Sequence, residues 1–219
     1  MKHTLLALWM LLLPLCATAQ HFSLRLNGGL ASRLTGCDPV GAFKIGASYE
    51  YEFDQHFTVA PALLFSARGW KDGDRRVRVN EDDGTPAFDE EGNPVYSVMG
   101  RSTAANYIEL PVLFNYYHRL DESRYLQFSF GPYAAIGVAG KVKTRGDGGR
   151  AGSEKLYYED KTFGNGGYRR FDAGLQAAAG YQFPTGLTLG VEADLGLTRV
   201  RSGGGRNVGG YLWLSYRFD

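Results

Sequence analysis

The chain has 219 residues, room for one or two domains, with 24 Lys and Arg against 23 Asp and Glu. A net charge of +1 supplies no field that would draw it to nucleic acid, and none is expected as a partner. With 30 glycines, 14% aromatic residues and apolar residues that alternate along most of its length, the chain favours an all-β fold. No internal stretch approaches the roughly 18 apolar residues of a membrane helix.

The one long apolar run opens the chain, "MKHTLLALWMLLLPLCATAQ". Lys2 supplies a positive start, Leu5 to Leu15 the apolar stretch, and Ala17-Thr18-Ala19 a small-residue cleavage site. Residues 1–19 are expected to be a cleaved signal peptide and 20–219 the exported domain; cleavage after Gln20 is the alternative. A lipid anchor on Cys16 is a rival reading, set against Leu15 where a small residue is usual. Cleavage leaves Cys37 as the only thiol, so neither an intrachain disulfide nor a cysteine metal site is expected.

Period-two alternation then predicts eight strands, near 22–32, 43–53, 57–68, 105–118, 125–140, 169–183, 187–200 and 207–218. Asp54-Gln55-His56, Asp121-Glu122-Ser123-Arg124 and Pro184-Thr185-Gly186 read as tight hairpin turns. The connections 33–42, 69–104, 141–168 and 201–206 are longer. Short and long alternate, so all short turns fall at one end. The pattern is that of an eight-stranded antiparallel up-and-down transmembrane β-barrel, with short periplasmic turns and long extracellular loops.

One face of these strands is apolar, as in Leu24, Leu26, Ile108, Leu110, Phe128, Phe130, Leu189, Val191, Leu212 and Leu214. Its rings gather at the short-turn end: Phe22, Tyr51, Phe53, Phe57, Phe114, Tyr116, Phe128, Tyr181, Phe183, Tyr216 and Phe218. A bilayer interface sorts rings to one level, whereas a soluble core does not. The opposite face carries Arg25, Lys44, Arg68, Arg119 and Arg217 against Glu50, Glu52, Glu109, Asp172, Glu192 and Asp194. Placed inside a narrow barrel with Tyr107, Tyr117, Tyr133, Tyr211 and Trp213, these charges must pair, forming a polar plug. The competing architecture is a soluble lipocalin-like barrel with the two faces exchanged.

"YIELPVLFNYYH", "FGPYAAIGV", "RFDAGLQAAAGYQF", "LTLGVEADLGLTRV" and the closing "GGYLWLSYRF" resemble the PorT-like outer-membrane β-barrel family of Bacteroidota. "PALLFSARGWK" resembles that family's third strand, and "ATAQ" its cleavage sites. The resemblance covers nearly all of the mature chain and implies outer-membrane insertion by the assembly machinery. Its motifs specify barrel packing rather than chemistry. Some of the family's members are implicated in secretion across the outer membrane.

The residues themselves offer little catalysis. His21, His56 and His118 all fall at the short-turn end, away from an outer-rim site. Glu192 and Asp194 resemble a hydrolytic pair, but among inward arginines ion pairing is the better reading. In "NEDDGTPAFDEEGNPVY" the acidic turns suggest calcium, yet Val79 and Ala87 stand where oxygen ligands are needed, so a hairpin extension is expected. Arg75, Arg76 and Arg78 offer guanidinium clamps for lipopolysaccharide phosphates, with a solvated charged ribbon as the alternative. Arg145-Gly146-Asp147 is too short a motif for an adhesion claim, and its glycine-rich loop is expected to be mobile.

The function expected is thus that of a non-enzymatic integral outer-membrane barrel without cofactor or metal, its interior plugged and its loops binding or structural. A secretion-accessory or ligand-binding protein, and a narrow channel, are the alternatives.

Overall fold

The computed structural model of the chain describes residues 20–34, 36–81, 85–147 and 155–218. The segment read as a signal peptide, Cys16 and the acidic turn at 82–84 lie outside the described residues. The strands in chain order are β1 (Gln20–Arg33), β2 (Cys37–Asp38), β3 (Val40–Glu52), β4 (Phe57–Arg78), β5 (Tyr96–Arg119) and β6 (Tyr125–Ala139). They continue with β7 (Lys141–Gly146), β8 (Lys155–Lys161), β9 (Phe171–Gln182), β10 (Leu187–Gly196) and β11 (Asn207–Phe218).

Eight of them close on themselves. β1 pairs antiparallel with β3 and β11, and the ring runs on through β4, β5, β6, β9 and β10 back to β11. Closure satisfies the backbone groups that lipid would otherwise leave bare. The joining register sets Phe22 beside Phe218 at one end and Arg33 beside Asn207 at the other. The inner strands approach too closely for side chains at some points: a Cβ on Gly29 would lie 2.0 Å from the Gly210 carbonyl.

Alternation decides the faces. Leu63, Leu110, Phe130, Ile136, Val191 and Leu212 point outward and are exposed, while Lys44, Glu109 and Asp172 point inward and are buried. A lipocalin-like barrel would show the reverse. The ring belt sits at the short-turn end, with Phe22 packed on Phe218 and Phe57 on Tyr116 at centroid distances of 6.0 and 5.2 Å. Each short turn is closed locally. Asp121 accepts from the backbone N–H groups of Ser123 and Arg124, and Gly186 takes the positive φ of its turn, 79°. The Arg124 side chain also holds the Asp121 carboxyl below the usual aspartate value.

The long connections are more ordered than expected. β4 and β5 run well past the expected ends at 68 and 105 and stay paired out to Arg78 and Tyr96, with one irregularity between Asp72 and Arg75. The third long loop is paired in its described part: β7 and β8 form a hairpin, and β7 docks on β5 from Thr103 to Met99. The break between β6 and β7 falls at Gly140, whose φ of 152° turns the strand as the Thr162 N–H bonds its carbonyl. A small sheet of β2, β4, β5, β7 and β8 therefore rises above the barrel.

Candidate functional site

The barrel interior holds a three-tier arrangement. In the middle tier Lys44, from β3, places its ammonium 3.0 Å from Glu109, 2.8 Å from Glu192 and 2.5 Å from Asp194. Arg25 pairs with Glu192 at 2.7 Å, and Arg68 bridges Glu109 at 2.5 Å and Asp172 at 3.3 Å. Neutral donors complete the carboxylates: Gln176 to Glu109 at 2.5 Å, and Thr198, Asn207 and Tyr133 to Asp172 at 2.6, 2.9 and 3.2 Å. The cations also rest on rings, Lys44 over Tyr211, Arg68 over Tyr107 and Arg25 over Trp213, at 4.6, 4.5 and 5.1 Å. Buried charge is tolerable only with such multiple partners.

Towards the periplasm a second tier centres on Glu50, which accepts from Tyr117 at 2.6 Å, Asn115 at 2.9 Å and the Thr58 hydroxyl. Between the tiers lies a cavity of about 20 Å³, lined by Arg25, Ser48, Glu50, Gln127 and Trp213 among others, the room of about one water. Below it the lumen widens into a polar mouth of about 400 Å³ lined by Glu52, His56, Arg119, Gln182 and Arg217.

The upper tier is apolar. Trp70, Tyr107, Tyr133 and Val142 meet Phe163 and Tyr168, which fold in from the segment after β8. Phe163 packs edge-on against Tyr107 at 5.3 Å, and Tyr168 against Trp70 at 5.2 Å. Gly137 leaves the space that the Phe163 ring occupies, 2.4 Å from where a Cβ would stand. The lumen is thus covered at its outer end by two rings from a glycine-rich loop.

Of the residues singled out in the sequence, Arg25, Lys44, Glu50, Arg68, Glu109, Asp172, Glu192 and Asp194 are buried in the lumen. Glu52 is half-buried at the periplasmic mouth, 3.3 Å from His21, and Arg217 is half-buried nearby. Arg119 departs from the expected position. It is exposed, and its guanidinium donates to the carbonyls of Asp121 and Glu122 in the adjoining turn. It has the inward parity but stands at the last paired level of β5, opposite Tyr125, where the lumen opens to the periplasm. Arg75, Arg76 and Arg78 are exposed on the β4 extension, with Arg76 over Tyr96 and Arg78 over Phe88.

The other motifs are occupied structurally. Asp89 accepts from the backbone N–H groups of Glu91 and Asn93, the Asn93 bond holding its carboxyl below the usual aspartate value. Asp147 of the Arg-Gly-Asp triplet accepts from the Val98 N–H. Cys37 lies half-buried against Arg33 and Asp72, and burial pushes its thiol pKa up. No group of three or more His, Cys, Asp or Glu able to hold a metal ion occurs among the described residues.

A closed eight-stranded antiparallel barrel, apolar outside, belted with rings at its short-turn end and charged within, is an integral outer-membrane barrel. The family model of the outer membrane protein beta-barrel domain matches residues 21–201, and the chain belongs to that family. No curated protein matches it. Among solved structures it is similar to Ail, the attachment invasion locus protein of Yersinia pestis. That match has 14% identity and a TM-score of 0.42, over 91% of this chain and 97% of that one. Ail in a phospholipid bilayer nanodisc matches with 14% identity and a TM-score of 0.35, over 91% of this chain and 100% of that one. A Rh. blastica porin variant matches at 10% identity and a TM-score of 0.20, over 91% and 100%. These distant likenesses carry no argument about binding or conduction.

Proposed function

We propose that this protein is a non-enzymatic outer-membrane barrel whose interior is a packed plug and whose task is binding at its extracellular sheet. Residues 1–19 are read as the export signal, and the strand motifs resemble those of the PorT-like barrels of Bacteroidota. The observation that carries the reading is the paired extension of β4 and β5 with the β7–β8 hairpin docked alongside. A paired sheet holds side chains in fixed positions, as a binding surface requires. Tyr96, Val98, Leu156 and Tyr158 stand exposed on it. A cavity of about 530 Å³ beside them is lined by both signs of charge, including Lys71, Asp74, Arg101 and Lys143. Arg75, Arg76 and Arg78 are offered to phosphates on the saccharide of lipopolysaccharide, well above the bilayer.

A second reading rests on the periplasmic mouth. Its Glu52, His56, Arg119 and Arg217 present hydrogen-bonding groups to the periplasm, which suits a secretion-accessory role through a partner there. Crosslinking in native membranes separates the two. The first reading expects partners to be captured from Tyr96, on β5, and lost when β7 and β8 are deleted. Capture only from Gln55, in the periplasmic turn, would favour the second. Capture from neither position would contradict a binding role.

A further inference from the structure

The outward wall at the foot of the extracellular sheet carries a groove that the plug does not use. Strand register arranges this wall in levels. Ile45, Phe65, Ile108 and Ile136 form one apolar level, and Phe43, Ala67 and Asn106 the next towards the outside. Gly69 and Ala104 pair at the following level, and Lys71, Ser102 and Lys143 at the one above it. Lys141 enters beside Ala104, one step from the Thr103–Val142 pair.

Height decides what this wall meets. From Phe57 in the ring belt to Ala67, at roughly 3.3 Å per residue and a tilt of about 40°, β4 climbs about 25 Å. That is about the height of the apolar band of such a barrel. The lysines therefore stand one or two levels above the hydrocarbon, where lipid phosphates lie. By the same reckoning Arg75 is roughly 20 Å above Ala67.

A groove of about 330 Å³ opens on this outward wall, bounded by Phe43, Ala67, Gly69, Ala104, Lys141 and Lys143. Glu159 lies 2.5 Å from Lys141 and 3.2 Å from Lys143 and holds the two ammoniums side by side. Each ammonium has three donors, so the bridge exhausts neither. Basic groups above an apolar groove complement an anionic headgroup above a hydrocarbon chain.

We propose that this groove binds one phosphorylated glycolipid of the outer leaflet. One acyl chain lies along Phe43, Ala67, Gly69 and Ala104, and Lys71, Lys141 and Lys143 hold a phosphate. The site needs only the outer-membrane barrel itself; Lys71 and Lys143 also border the larger cavity at the sheet, whereas Arg75, Arg76 and Arg78 stand apart from the groove.

The test uses the mature barrel purified in detergent, with diphosphorylated lipid A and its dephosphorylated form as probes and retained adducts read by native mass spectrometry. The wild type should keep one diphosphorylated molecule. Combined Lys71→Gln, Lys141→Gln and Lys143→Gln should lower that retention about tenfold or more, and removal of the phosphates should do the same. Ala104→Trp, which fills the groove, should lower retention of both probes while leaving the heat-modifiable gel shift of the folded barrel in place. Combined Arg75→Gln, Arg76→Gln and Arg78→Gln should leave the adduct unchanged. Equal retention by the wild type and the lysine variant would overturn the proposal. So would a wild type indifferent to phosphate, or loss of the adduct in the arginine variant alone.

Discussion

Lys44 and Glu192 meet at 2.8 Å in the centre of the barrel although 148 positions separate them in the chain, and neither side chain is exposed. The same ammonium serves Glu109 and Asp194, so one residue of β3 neutralises carboxylates from β5 and β10. Lys44→Met should leave these carboxylates without their shared ammonium and cost about 3–5 kcal/mol. The loss is read as a lower temperature for disappearance of the heat-modifiable gel shift. Adding Glu192→Gln should recover part of it, and a double variant no better than the single one would mean that the pair is not coupled.

Depth in the bilayer should decide the cost of charge on the outward face. Val191 is 57% exposed in the middle of β10, next to the buried Glu192. Val191→Arg should cost about 2–4 kcal/mol, whereas Leu156→Arg on β8, above the membrane, should cost little. Unfolding titrations in lipid vesicles measure both. If the two variants cost the same, Val191 does not face lipid.

The upper tier predicts a packing effect. Phe163→Ala removes the ring that fills the space over Gly137 and against Tyr107, and should destabilise the barrel by about 3–5 kcal/mol. Gly137→Val should also destabilise it, because its side chain competes for the same space. Thermal melts of the two variants provide the check; unchanged melting in both would mean that the lid contributes no packing.

Much of the barrel was legible because a period of two writes both faces into each strand. Leu189 and Val191 against Glu192 and Asp194 betray one wall, and the rings near Phe57 and Phe218 its periplasmic level. What escaped is the part where that code stops. "KDGDRRVRV" has charge on both faces, since both faces of β4 meet water beyond the rim, and so it reads as loop. Lys141–Gly146 and Lys155–Lys161 are polar for the same reason. Phe163 and Tyr168 cover the lumen from a segment without alternation, and two rings within "FGNGGY" were the only signal. Parity misplaced Arg119: it has the inward sign but sits beyond the packed interior, where turn carbonyls are its nearest acceptors.

The register of the charge network could not be read at all. Which carboxylate faces which cation depends on the stagger of the closed barrel, a property of the whole ring rather than of any strand. Sequence alone thus placed Arg25 and Glu192 inside without joining them, and the 2.7 Å pair emerges only on closure.

Planar-bilayer recording on the purified wild-type barrel tests the plug most directly. The network about Lys44, the Glu50 cluster and the rings around Phe163 occupy successive levels of the lumen, so no stepwise current should appear at any applied potential. A stable, ion-selective current in the wild-type protein, altered by Lys44→Met, would contradict the plug and make the interior a conducting path.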